Sequence, residues 1–375
     1  MSQIVVLGAG YSGIQAARVL ARSAPEHLVT LVDRLPHHQL TTQFPATVTG
    51  RLTTGRAFIP LERIVPTNVR ILRAEIESVS RSPFEIQTSL GAVPADWLAV
   101  CLGTTSSDLG VPGAREHALP LKSVQDCMRL RNCVRDLVSS RGLTRIVVVG
   151  GGYSGTEVAG ELTDPQFATS TRGLEVTIVQ PDNRLLPQGS SRLADAVQRI
   201  LTKRGVRTLC GLWLSEVGAE GICLDTGEKL AADLVVWTAS TRPTPVVKQT
   251  FEISPEGRIP VDPYLRPPNS ERVYVAGDLA ALQDLHGRLY PASAQIAVAQ
   301  GTRIGQNIIA ELAGKLPVEF KPRLLGEALT LGRHAAAAEV GGVLSTGRLA
   351  HAMKRAALFR YLAGFGSPAL LRDYL

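Results

Sequence analysis

One pattern occurs twice in this chain, 142 residues apart. Ile4-Val5-Val6-Leu7-Gly8-Ala9-Gly10-Tyr11-Ser12-Gly13 runs an apolar segment into GxGxxG. Ile146-Val147-Val148-Val149-Gly150-Gly151-Gly152-Tyr153-Ser154-Gly155 repeats it down to the four letters Gly-Tyr-Ser-Gly. Each copy reads as a buried strand, a glycine turn and a helix. The first glycine permits the tight turn, the second lets backbone approach a pyrophosphate, and the third lets helix pack on strand. The phosphates then rest on the helix N-terminus, where free N–H groups and the dipole favour negative charge. A lone GxGxxG is a weak signal, and its plain alternative is a turn whose glycines serve packing only. The first copy carries more: the run Leu28-Val29-Thr30-Leu31-Val32 ends at Asp33, twenty residues past Gly13, where a carboxylate binds an adenosine ribose hydroxyl. The matching run after the second copy, Val176-Thr177-Ile178-Val179, ends at Gln180, an amide. Repetition at this scale means two copies of one domain type. The expected fold class is therefore α/β, with two Rossmann-like dinucleotide-binding domains.

A chain of 375 residues has room for two or three such domains, and 19 % charged against 45 % apolar residues is an ordinary globular balance without long disorder. The start runs straight into a strand, so no secretory leader is expected. No apolar run approaches the roughly 20 residues needed to span a bilayer. Cys101, Cys127, Cys133, Cys210 and Cys223 show neither CxxC nor zinc spacing, which suits free thiols in a reducing cytoplasm. The net charge of +7 is concentrated at the end, where residues 321–375 hold eight Lys or Arg against three acids. A basic tail on a near-neutral body suggests an anionic surface as partner.

Between the motifs the chain reads in short pieces. His37-His38 has no Cys or carboxylate at ligand spacing, so a solvated loop is expected there and no metal. Residues 69–100 and 206–238 read as short strands. Helices are expected around 124–138, 195–204 and 293–312. Cys101 reads as a small buried hydrophobe. Arg242-Pro243-Thr244-Pro245 and Pro267-Pro268 suggest the chain crossing between domains.

Two further turns complete a set. Val100-Cys101-Leu102-Gly103 is a strand running into glycine, and Val275-Ala276-Gly277-Asp278 is a strand ending on Gly-Asp. With the glycine motifs they resemble the flavoproteins with two dinucleotide-binding domains. Within these the chain resembles the type II NADH dehydrogenases (NADH:quinone oxidoreductases). The matching stretches include residues 31–40, Leu121-Lys122-Ser123, residues 150–162 and 235–239, Arg258-Ile259-Pro260-Val261-Asp262, and Ala294-Gln295-Ile296-Ala297 through Gln300-Gly301. The resemblance covers residues 1 to about 350. It implies an FAD domain split into 1–111 and 242–320, an NAD(P)H domain at 112–241, and a basic C-terminal segment at 321–375. It implies FAD at Gly8, Gly10, Gly13, Asp33, Arg34, Gly103, Gly277, Asp278 and Ala294, with the backbone of Ile76 at the adenine. NAD(P)H would sit at Gly150, Gly152, Gly155 and Gln180, and Gln180 in place of an acid leaves NADPH open.

The family's disulfide reductases pass electrons to a cysteine pair, and no CxxxxC follows Asp33 here. The implied activity is hydride transfer from nicotinamide to flavin, then two electrons to a quinone-type acceptor. The alternative is a soluble FAD-dependent oxidoreductase acting on a biosynthetic molecule or redox partner, and a third is a non-catalytic FAD-binding protein. The resemblance implies catalytic positions at Glu157, near the nicotinamide, and Gln295, near the flavin, with Gln300 beside the acceptor. Their plain alternatives are a first-turn carboxylate meeting the helix dipole and solvent-facing glutamines. For Asp278 the alternative is the N-cap of the following helix. In the tail, Leu349, Met353, Ala357 and Tyr361 form an i, i+4 stripe among basic residues, with Leu358 and Leu362 beside it. Such a helix lies on an anionic membrane, on the inner face of the cell, or else packs on the body or in a homodimer interface. Nucleic acid is not expected, because no aromatics interleave the basic residues.

Overall fold

The computed structural model describes residues 1–81, 84–140, 142–168, 173–284 and 287–374. In chain order its principal elements are β1 (Gln3–Leu7), α1 (Tyr11–Ser23), β2 (Leu28–Asp33), β3 (Val69–Arg73), β4 (Trp97–Val100), β5 (Ala118–Pro120), α2 (Val124–Ser140), β6 (Thr144–Val149) and α3 (Tyr153–Leu162). There follow β7 (Leu174–Gln180), α4 (Ser191–Lys203), β8 (Arg207–Cys210), β9 (Leu234–Trp237), β10 (Val273–Val275), α5 (Ala294–Leu312), β11 (Gly326–Thr330), β12 (Ala336–Val340), β13 (Val343–Thr346) and α6 (Gly347–Ala363). They sort into two compact units. The first takes Met1–Gln39, Ile59–Thr105 and Thr241–Leu324; the second takes Leu40–Phe58, Ser106–Ser240 and Leu325–Leu375.

The first unit is built on a five-stranded sheet ordered β10-β4-β1-β2-β3, every pairing parallel. Strands buried on both faces read as continuous apolar runs, and Ile4, Val5, Val6 and Leu7 are all buried. Val5 pairs with Thr30 on one side and Leu98 on the other, so β1 is central. On α5, Gly301 and Gly305 face α1, where a Cβ would collide with the Ser12 carbonyl and the Val19 side chain. Pro267-Pro268 lies inside this unit and marks no crossing.

The second unit repeats the design with the order β5-β9-β6-β7-β8, again all parallel. Residues 40–58, though early in sequence, belong to it. There the Arg51 guanidinium makes a bidentate pair with the buried Glu161 carboxylate of α3, Nε to Oε2 at 2.8 Å. The C-terminal sheet β11-β12-β13 and α6 belong to it as well. Among the described residues, no helix is long and apolar enough to cross a membrane.

Candidate functional sites

Each unit turns at the end of its central strand into a glycine loop, at the point where the sheet order reverses and ligands bind in open parallel sheets. In the first unit, Gly8 lies at φ +95°, where a Cβ would meet the carbonyl of Cys101, and a Cβ on Gly13 would collide with the Gly8 carbonyl. Those two glycines are demanded by the chain itself. Gly10 is not: nothing lies closer to its would-be Cβ than the Cys101 oxygen at 3.9 Å, and its φ is −75°. The same division recurs in the second unit. Gly150 packs against Ala239, a Cβ on Gly155 would strike the Gly150 carbonyl, and Gly152 has nothing within 4 Å at φ −74°. Neither α1 nor α3 has a side-chain cap or an acid in its first turn, whereas α4 and α5 are capped by Ser190 and Ser293. The open glycine and the uncapped helix end together make an anion cradle in each unit. Packing alone does not account for Gly10 and Gly152, and a pyrophosphate fits both loops.

Around the first cradle, Asp33 Oδ2 accepts the Ala9 N–H at 2.6 Å and Oδ1 that of Leu35 at 2.8 Å. Burial holds the Asp33 carboxyl above its ordinary pKa, against the pull of those two N–H groups. His38 is no loop residue in water. It is completely buried in a short strand, Nδ1 donates to the Ala9 carbonyl at 2.9 Å, and its ring meets Tyr11 edge-on at 4.7 Å. Burial lowers its pKa to about 4, so the ring is neutral. Arg34 is exposed and 3.6 Å from Glu75. Ile76 packs partly buried against the core. Gly103 follows β4 at φ +63° with open space beside it.

Gln300 is 1 % exposed, so the solvent-facing reading fails: its Oε1 accepts the Gly277 N–H at 2.7 Å. Gln295 is half-buried and donates to the Arg323 carbonyl at 3.4 Å. Asp278 sits on the 3-10 turn Gly277–Leu279 and does not cap α5, which begins at Ala294 behind Ser293. The Cys101 thiol is buried, its pKa pushed up to about 12 by loss of solvent.

Around the second cradle, Gln180 is buried and its Oε1 accepts the Gly151 N–H, while its Nε2 donates to Asp182. An acid therefore stands two residues beyond the amide. Glu157 lies in the second turn of α3, not the first. It is buried, and its Oε1 accepts the Thr330 N–H at 2.8 Å, the Thr330 hydroxyl at 3.3 Å and the Lys354 ammonium of α6. The tail stripe is also displaced. On α6, Ala350 and Leu362 are buried and Met353 packs beside Ala350, while Leu349 is 59 % exposed. Among the described residues no cluster of His, Cys, Asp or Glu has the makings of a metal site.

The signature of the Pyridine nucleotide-disulphide oxidoreductase family matches residues 2–301. Type II NADH:quinone oxidoreductases from Staphylococcus saprophyticus and Staphylococcus aureus are each 28 % identical to this chain, over 94 % of its length and 93 % of theirs. Among solved structures, NDH2 from Plasmodium falciparum in complex with NADH matches with a TM-score of 0.86 at 15 % identity, over 100 % of this chain and 96 % of that one. The sulfide:quinone oxidoreductase of Aquifex aeolicus matches with a TM-score of 0.83 at 17 % identity, over 97 % and 91 %. At these identities the structural likeness is one of fold.

Proposed function

The chain belongs to the pyridine nucleotide-disulphide oxidoreductase family and groups within it with the type II NADH dehydrogenases, and we propose that it oxidises NADH with FAD as resident cofactor and passes two electrons to a quinone. The observation that carries this reading is the pair of cradles, one per unit, each with a second glycine that nothing in the chain requires. Two dinucleotides, not one, account for both.

The first unit takes FAD. The N–H groups at the start of α1 hold its pyrophosphate, Asp33 its adenosine ribose, and Gly277 and Asp278 the opposite end of the same crevice. His38 and Asp33 keep the loop in shape by bonding both the carbonyl and the N–H of Ala9. Arg34, Gly103, Ala294 and the Ile76 backbone border the remainder. The second unit takes the nicotinamide cofactor on Gly150, Gly152 and Gly155. Gln180 fixes the loop there through Gly151, and Asp182 supplies the carboxylate for the ribose, so NADH is preferred over NADPH. Bound FAD supplies the hydride acceptor and the two-electron donor. Glu157 is a positioning residue. Lys354 and Thr330 hold its Oε1, and Oε2 is left for the nicotinamide side. Gln295 is assigned to the acceptor side. The cysteines take no part: among the described residues all five are unpaired, and the one beside the first glycine loop is buried and protonated. A quinone is dissolved in the bilayer, so the basic C-terminal segment is assigned to peripheral contact with the inner membrane face.

Gly152→Ala tests the pairing of cradle and cofactor. An alanine is sterically free there and its φ is ordinary, so the protein folds and keeps its FAD, but the methyl takes pyrophosphate space. The expected result is a KM for NADH raised roughly tenfold or more, the loss of about one charge-assisted hydrogen bond or more. Gly10→Ala should instead lower the FAD content. An unchanged KM in the first and unchanged flavin in the second would mean that the cradles do not hold the two cofactors.

A further inference from the structure

We propose that the cleft at the start of α6 binds a phosphate group. The cleft is open to solvent, has a volume of about 380 Å³ and is lined by Arg333, His334, Arg348, His351, Ala352 and Arg355. Three of these side chains are permanent cations, two are imidazoles, and none is a carboxylate. Arg348, His351 and Arg355 follow one another at i, i+3 and i+7, which stacks them on one face of the helix, and Ala352 between them leaves room. Arg333 and His334 reach the same space from the turn between β11 and β12.

Folding alone gives no reason for this arrangement. Arg348 and Arg355 stand two turns apart on one helix face with no acid between them. The first turn of a helix favours acids, yet α6 has none there, has no side-chain cap, and carries Arg348 instead. No side chain among the described residues pairs with the guanidinium of Arg333 or Arg348. Two acids of the same unit are committed elsewhere. Asp164 accepts the backbone N–H of Arg333 at 2.7 Å and stands 3.9 Å from Arg204, and Glu157 is held by Lys354. His351 is oriented by donating from Nε2 to the Gly332 carbonyl at 3.1 Å. The result is a pre-formed concave array of planar donors with an uncapped helix end behind it. Guanidinium forks match the oxygens of a phosphate mono- or diester better than any neutral ligand. This chemistry is independent of the flavin. The phosphate could belong to a lipid headgroup or to a soluble molecule.

The test uses the full FAD-loaded chain in three forms: wild type, Arg333→Gln/Arg348→Gln, and Arg129→Gln/Arg199→Gln as a control of equal net charge at exposed positions. Inorganic phosphate binding is measured by calorimetry, and flotation is measured with phosphatidylcholine vesicles with and without phosphatidylglycerol. Wild type and control should bind phosphate alike, with the cleft variant weaker by roughly tenfold or more, the loss expected for charge-assisted contacts. Ala352→Glu, which places a carboxylate inside the cleft, should weaken it as much. If flotation on phosphatidylglycerol falls in the same variants, the phosphate is a headgroup. If flotation is unchanged while phosphate binding falls, it is a soluble ligand. Equal phosphate binding by the cleft variants and the control, or none by wild type, would overturn the proposal.

Discussion

At the scale of single residues, the first cradle depends on a histidine that must stay neutral. His38 has a pKa of about 4 when folded, against about 6.5 for a free histidine. The unfolded chain therefore binds the extra proton between those values, and stability contributed by neutral His38 is present above pH 6.5 and lost as pH falls toward 4. The loss across that window is about 3 kcal/mol. His38→Asn, which can still donate to Ala9, should flatten this part of the curve of stability against pH, measured by urea unfolding. An unchanged acid slope would mean the ring is not held neutral. Asp182 yields a second expectation. A carboxylate near the ribose repels a 2′-phosphate, so Asp182→Asn should narrow the NADH-over-NADPH preference in kcat/KM by about fivefold, the equivalent of about 1 kcal/mol. Unaltered discrimination would leave selectivity to Gln180 alone. Asp182 and His38 also show where the sequence is silent. The glycine loops and Asp33 are legible because their chemistry is written at fixed local spacing. The burial of one histidine in a His-His pair is decided by what packs over it, here Tyr11 from another element.

At the scale of elements, α6 shows how a pattern read from sequence is displaced by its surroundings. Its apolar stripe runs through Leu349, Met353, Ala357 and Tyr361 with Leu358 and Leu362 beside it, but the helix docks through Ala350, Met353 and Leu362 and leaves Leu349 exposed. Ala350 is small enough for close approach to Ala336 and Ala338 of β12, and that tight fit, not the count of large side chains, sets the rotation. The same docking brings Lys354 to Glu157, 197 residues away in sequence, a pairing no local pattern encodes. Lys354→Met should leave a buried carboxylate without its cation and cost about 3 kcal/mol or more. Thermal unfolding is the measurement. A Tm equal to wild type would mean that the helix does not rely on the pair. Gln300 follows the same logic: α5 presents Gly301 and Gly305 to α1, and the close packing that follows buries Gln300 next to Gly277.

At the scale of the molecule, the repeat seen in the sequence is matched by two five-stranded parallel sheets, each with its glycine loop after the central strand. What the repeat did not show is how the second unit is assembled from three separated pieces of chain. Residues 40–58 and 325–375 join it through contacts such as Arg51–Glu161 and Lys354–Glu157, which depend on tertiary placement. Electrons entering from a nicotinamide leave directly for a quinone in the proposed reaction. Anaerobic stopped-flow tests it most directly: the FAD-loaded protein is mixed with NADH or NADPH, flavin bleaching is followed, and a short-chain quinone is then added. The expected result is bleaching faster with NADH, followed by rapid return of the oxidised flavin spectrum when quinone arrives. Bleaching that persists in the presence of quinone would contradict it and point to a soluble small-molecule or protein acceptor instead.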